Sequence, residues 1–263
     1  MRIAAGVEYD GSAFCGWQYQ DHSPSVQVAV EQALAKVANH PVRVACAGRT
    51  DTGVHGVGQV IHFDTDAERS EFSWVRGANS NLPYSVRLLW ARPVDETFHA
   101  RFSARRRAYR YVIFNRAIRP AYLHRRVSWE YRPLNVEPMQ QAAQYLLGEH
   151  DFNAYRAVAC QARSPVRTLY QLDVVRRGEF IILDLNANAF LHHMVRNIAG
   201  VLMSIGAGEA EPDWARQVLE QQDRTLGGVT APPDGLYFMG VEYPAEFALP
   251  NMVGADPPGQ FGF

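Results

Sequence analysis

The chain has 263 residues, 47% of them hydrophobic and 20% charged, enough apolar material to bury a core and too much for a disordered polymer. A net charge of −1 excludes the uniformly basic surface of a general nucleic-acid binder. Three cysteines without a CxxC spacing, no N-terminal apolar leader and no run of eighteen apolar residues predict a soluble cytoplasmic protein with reduced thiols.

Residues 2–9 read as a strand closed by the turn Tyr9-Asp10-Gly11. Residues 12–24 form a loop carrying Phe14, Trp17 and Tyr19, aromatics suited either to base stacking or to the core. Val26, Ala29, Val30, Ala33, Leu34 and Val37 recur at helical spacing after Ser25, a candidate N-cap. Val42, Val44 and Cys46 then alternate as a strand, and Gln59-Val60-Ile61-His62-Phe63 as another. Between them, Gly48, Gly53, Gly56 and Gly58 predict a tight loop with Arg49-Thr50-Asp51 at its tip. A helix over Phe72–Asn79 and a strand over 86–94 complete the order β-α-β-β-α-β, the ferredoxin-like or RNA-recognition-motif pattern.

Asp51 is the only carboxylate between residues 43 and 61. Arg49, two residues away, favours its ionised form, which suits a nucleophile or a hydrogen-bond acceptor better than a general acid. An Asx-turn is the plain alternative. Gly56-Val57-Gly58 lacks the third glycine of a dinucleotide fingerprint, and the loop lacks the alternating oxygens of an EF-hand.

Of 26 basic residues, 25 are arginines; the exception is Lys36. Ten arginines fall between Arg101 and Arg132 with one acid, Glu130, whereas residues 209–263 hold nine acids and two arginines. Neutral net charge thus conceals a basic middle and an acidic end. Arg105–Asn115 reads as a strand with Tyr109 and Tyr111 on one face and Arg110 on the other. Through Arg132 the arginines interleave with Tyr122, Trp129 and Tyr131, the two components of single-strand RNA binding. A helix carrying Met139, Ala142, Ala143, Leu146 and Leu147 follows, then a long polar loop over 150–167 and a hairpin of strands near 168–177 and 179–187. Helices over about 191–205 and 212–222 and a strand over 236–243 finish the second half, with a Pro- and Gly-rich tail beyond. His192 and His193, adjacent on the first of these helices, would face different directions, so no metal site is expected.

Six separated segments resemble the tRNA pseudouridine synthase A family in sequence and in order. They are Glu8-Tyr9-Asp10-Gly11 with Gly16-Trp17-Gln18, Gly48–His55, Phe98–Ala104, Tyr109-Arg110-Tyr111, Ala187–Asn197 and Gly235-Leu236-Tyr237. The resemblance implies an α+β fold of two ferredoxin-like halves whose antiparallel sheets flank a central active-site cleft. It divides the chain into 1–104, 105–243 and an extension, 244–263. It implies an isomerase that converts uridine to pseudouridine at positions 38, 39 and 40 of the tRNA anticodon stem-loop, as a homodimer with no metal or cofactor. On this resemblance Asp51 is the catalytic carboxylate, Tyr109 stacks on the target base and Arg196 is the counter-charge of the carboxylate. Arg49 fills the stack vacated by the flipped base, and Leu236 is an apolar wall. Whether Asp51 attacks the sugar, attacks C6 of the base or removes a sugar proton stays open. Thr52, where alanine is common, and Ala108, where relatives carry a basic residue, depart from the pattern. Two competing readings are a non-catalytic RNA-recognition-motif protein, which would need aromatic sheet segments not found here, and a metal-assisted hydrolase using His55 and Asp51.

Overall fold

The computed structural model describes residues 1–250, so most of the expected extension, 251–263, lies outside the described residues. The chain divides into two compact units. The first comprises Met1–Arg105 and the described residues from Tyr237 on; the second comprises Arg106–Leu236. The sequence division carried the second half to 243, whereas the chain returns to the first unit at Tyr237. Both units are α+β with mainly antiparallel sheets.

The first unit is built from β1 (Arg2–Tyr9), α1 (Val26–Ala38), β2 (Ala45–Cys46), β3 (His55–Asp64), α2 (Glu71–Asn79) and β4 (Val86–Val94). Its strands run in the order β4-β1-β3-β2, each antiparallel to its neighbour, as the ferredoxin-like pattern predicts. Ile3, Ala5, Val7 and Tyr9 alternate along β1 onto the core face, where Leu34 of α1 and Trp74 of α2 join them. Trp74 meets Phe63 of β3 edge-on at 5.2 Å. Ser25 caps α1 by accepting from the Val28 N–H, and Ser70 caps α2 by accepting from the Ser73 N–H.

The strand expected over 42–46 shrinks to Ala45–Cys46. The cause is Glu31 of α1, whose carboxylate takes the Val44 N–H at 3.1 Å and the Arg43 guanidinium at 3.0 Å, diverting that stretch from the sheet. The other side errs in the opposite sense: His55–Gly58, expected in the loop, belongs to β3. Gly56 is not turning the chain there. A Cβ on it would lie 2.5 Å from the Tyr9 ring, so glycine serves close packing. β10 (Leu236–Glu242) then lies parallel to this end of β3, with Tyr237 opposite His55 and Phe238 opposite Gly56.

The second unit contains β5 (Arg106–Asn115), β6 (Ser128–Glu130), α3 (Val136–Gln144), β7 (Gly148–Asp151), β8 (Val166–Arg177), β9 (Phe180–Ala187), α4 (Met194–Gly206) and α5 (Trp214–Gln221). Its antiparallel order is β5-β9-β8-β7, with β6 parallel to β5. Leu183, Leu185, Leu172 and Val174 supply the buried face of the sheet, and α3 and α4 pack against this unit's strands. β6 and β7 escaped the sequence reading because three- and four-residue strands carry too little alternation to register. β7 shortens the expected loop over 150–167, which also contains a 3-10 turn at Asn153–Tyr155. His192 and His193 precede α4 rather than sitting on it. His193 adopts a left-handed conformation (φ 63°), and the two rings approach to 4.1 Å instead of diverging.

The basic middle is better neutralised than its local sequence suggests. Arg110 forms a two-pronged pair with Asp184, at 2.7 and 2.9 Å. Arg132 pairs with Glu130 and Glu209, and Arg116 with Glu179. Of these acids only Glu130 lies within the arginine-rich segment, so three of these partnerships were invisible to a count along the chain.

His62 of β3 accepts the Ala100 N–H at its Nδ1, 3.1 Å away, and His99 accepts the N–H groups of Arg101 and Phe102 at its own Nδ1. Two imidazole lone pairs thereby hold the turn over 98–103. Burial, then His99 and then Arg2, press the His62 pKa down to about 4. The folded state therefore refuses a proton that an unfolded imidazole accepts near 6.5. Stability is complete above about 6.5 and should fall as pH drops towards 4, by at most about 3 kcal/mol. Urea titrations across this window should show a steeper loss for the wild type than for His62→Gln, which keeps an acceptor but cannot be protonated.

Candidate active site

Asp51 lies in a loop that is clamped on both sides. The Trp17 N–H donates to the Thr50 carbonyl at 3.0 Å, and the Gly53 N–H donates to the Phe14 carbonyl at 3.3 Å. Residues 14–17 therefore bracket Asp51 with main-chain bonds. Inside the bracket, the Val54 N–H closes a turn onto the Asp51 carbonyl at 3.1 Å. Gly53 adopts φ 80°, and Gly16 adopts φ 92°. A Cβ on Gly16 would lie 2.6 Å from the Thr50 oxygen. The clamp can close only with glycine there.

Beneath the loop are buried polar contacts. The Tyr9 hydroxyl and Thr50 Oγ1 are 2.8 Å apart. Gln59, fully buried, donates from Nε2 to the Gly48 carbonyl at 2.6 Å and accepts the Gly48 N–H at its Oε1. Burial raises the Tyr9 pKa well above the usual phenol value, so it stays a neutral hydroxyl. His55, at the start of β3, accepts the Gly11 N–H at Nδ1 and stacks on Tyr237 at 4.7 Å. Phe14 and Trp17 are buried, which settles them as core residues, while Tyr19 is exposed and bonds Asp21. Asp51 ends half-buried on this platform, flanked by exposed Arg49 and Thr52.

The second unit carries the other sequence-predicted residues, Tyr109 on β5, Arg196 on α4 and Leu236 at the start of β10. Tyr109 is half-buried and meets Phe190 edge-on at 4.9 Å. Tyr111, two residues on, is buried and lies 2.6 Å from Ser128 Oγ while donating to the Pro232 carbonyl. Arg196, in the first turn of α4, donates from Nε to the Ala231 carbonyl at 2.8 Å, and the Ala231 N–H returns a bond to the Arg196 carbonyl. This pairing fixes the plane of the guanidinium. The turn that begins there continues to Gly235, whose carbonyl accepts the Val112 N–H, and then to buried Leu236. Tyr9, Gln59 and Phe190 were missed as supports. Tyr9 sat in a matching segment without a role, and nothing in the local spacing marks Gln59.

A family model described as tRNA pseudouridine synthase matches residues 5–103 and 142–244. The chain belongs to the tRNA pseudouridine synthase family. Proteins named tRNA pseudouridine synthase A from Coxiella burnetii and Vibrio cholerae are each 56% identical to it, over 95–96% of this chain and 96% of theirs. One of the same name from Nitrosococcus oceani is 58% identical, over 96% of this chain and 97% of its own. The family match spans the Asp51 loop, the 98–103 turn and Arg196, but leaves out residues 104–141, where β5 and the arginine-rich segment lie.

Gly16→Ala is expected to cost about 1–3 kcal/mol, because the added methyl meets the Thr50 carbonyl in a backbone conformation that L-residues avoid. Tyr9→Phe, which strands the buried Thr50 hydroxyl, should cost about 1 kcal/mol or more. Denaturant unfolding of both variants checks the clamp, and wild-type stability of Gly16→Ala would remove it as a constraint.

Proposed function

We propose that Asp51 is the catalytic carboxylate of a uridine-to-pseudouridine isomerisation at positions 38, 39 and 40 of the tRNA anticodon stem-loop. Membership of the family makes the chain a tRNA-acting isomerase; the nucleotides and the residue roles are our reading. The observation that carries the reading is the clamp: a carboxylate held at fixed height by main-chain bonds on both sides, above a buried polar support.

The reaction is balanced within one nucleotide. The bond from uracil N1 to ribose C1′ breaks, the base turns, and a bond from C5 to C1′ forms. The hydrogen on C5 leaves as a proton, and N1 gains one. No electrons are exchanged with another molecule. An ionised carboxylate can assist by attacking the sugar, attacking C6, or removing a sugar proton. Tyr109 offers an aromatic face to the extruded base, as base-flipping enzymes require. Arg196 supplies positive charge for the carboxylate, and its Ala231 pairing holds it rigid. Leu236 supplies an apolar wall, and Arg49 occupies the place the base leaves in the stack. The enzyme acts as a homodimer and without a metal in this reading. Among the described residues no helix is long and apolar enough to cross a membrane.

Tritium release from tRNA labelled at C5 of uridine tests the assignment. Wild type should release it with or without EDTA. Asp51→Asn should lower release at least about 1,000-fold, since a covalent or acid–base group is lost outright, while tRNA affinity stays within a few-fold. A large affinity loss with residual turnover would make Asp51 a structural turn residue. Arg196→Ala should lower kcat far more than it raises KM, and wild-type rates would refute its role.

A further inference from the structure

Two of the three arginines of the second unit's 116–119 and 132 positions are tied to carboxylates, as described; Arg119 is not tied in this way. Its guanidinium lies 5.9 Å over the ring of Trp129. That ring is itself held, because Trp129 Nε1 donates to the Arg116 carbonyl at 2.9 Å. Beside the pair opens a cavity of about 210 Å³, lined chiefly by Arg119, Leu123, His124, Arg125, Trp129 and Asp234. The segment that builds it is anchored by buried Leu123 and Val127. Two tight turns, from His124 N–H to the Ala121 carbonyl and from Arg126 N–H to the Leu123 carbonyl, bring the basic residues together. Arg125 adopts φ 60°, a strained conformation for a non-glycine residue. Strain of this kind persists where surrounding structure enforces it, often at binding sites.

The chemistry of the lining selects its ligand. Two arginines against one aspartate leave it net positive. Arginine forks match phosphate oxygens, and an indole face accepts a base or a ribose. The volume is below the roughly 300–1,000 Å³ of pockets that enclose a whole small molecule. It suits one group of a longer chain. Tyr122 and Tyr131, both strongly exposed, extend the aromatic surface along the same segment. None of these residues is among those assigned to the reaction.

We propose that the Arg119–His124–Trp129 pocket holds one backbone phosphate of the tRNA outside the nucleotide that is isomerised. The inference rests on the tRNA-modifying reading above. It assigns this pocket to binding and not to chemistry.

The test is tRNA binding by wild type and Arg119→Gln over a range of salt concentrations, with tritium release measured on the same preparations. The variant should lose about 5- to 10-fold in affinity at low salt, the size of one charge-assisted contact. The slope of log K against log salt should become shallower by about 0.7–0.9. KM should rise by the same factor with kcat unchanged. His124→Gln should show a smaller loss of the same kind and decides the matter if Arg119→Gln melts early. Equal affinity and equal slope in both variants would overturn the pocket while wild-type release still upheld the isomerase. Absence of tRNA binding and release by the wild type would instead defeat the functional reading. At matched ionic strength, inorganic phosphate should compete with tRNA more strongly on wild type than on Arg119→Gln. Equal competition on the two would also overturn the proposal.

Discussion

Two main-chain hydrogen bonds set the terms for the first unit: Trp17 to Thr50 and Gly53 to Phe14. They convert a glycine-rich stretch, which alone would sample many conformations, into a platform of fixed height. The aromatic side chains of the same short segment are driven into the core, so the bonds are made from a part of the chain that cannot move. Apolar burial supplies the rigidity, and backbone polarity transmits it to Asp51. A flexible loop bearing the same residues would present the carboxylate at many positions, and in the catalytic role proposed for Asp51 such displacements would cost rate steeply.

The second unit solves a different problem. It carries many cations on a small sheet, and it pairs several of them with acids from distant strands and turns. Arg110 with Asp184 uses the antiparallel register of β5 and β9, which sets the two residues directly opposite. Arg196 is restrained by the Ala231 carbonyl, 35 residues further along the chain. The buried amide of Asn197, next along α4, donates to the Tyr155 carbonyl and accepts from Arg224 and Thr230. Polar groups at this end of the helix are thus satisfied by loops, which fixes the loops as well.

Much of this was legible in the chain. Ile3, Val7 and Tyr9 alternate so regularly that β1 was read to the residue, and the spacing from Val26 to Val37 placed α1 with its cap. Asp51 stood out because no other carboxylate lies near it. What failed was whatever depended on partners far along the chain. Glu31 draws Val44 away from a strand, and nothing near Val44 announces this. Gly56 reads as a turn residue until the Tyr9 ring is seen against it. A count of arginines between 101 and 132 takes no notice of Asp184, Glu179 or Glu209. His192 and His193 kept the helical spacing of their neighbours, but the left-handed backbone at His193 delays the start of the helix from about 191 to Met194. Local pattern reveals elements, and long-range contact decides their ends and their charges.

The parallel seating of β10 against β3 bears on the order in which the molecule is made. The edge of β3 that β2 leaves open, around His55 and Gly56, is covered by Tyr237 and Phe238. Each of these pairs is 182 residues apart in sequence. During synthesis the first unit emerges early, yet its sheet keeps an unpaired edge until the second unit has been translated. The stack of Tyr237 on His55 is among the last contacts to become possible, and it falls directly beside the Asp51 loop. The platform under the carboxylate is therefore finished only once β10 has been made, and a chain stopped before Tyr237 carries Asp51 without this support.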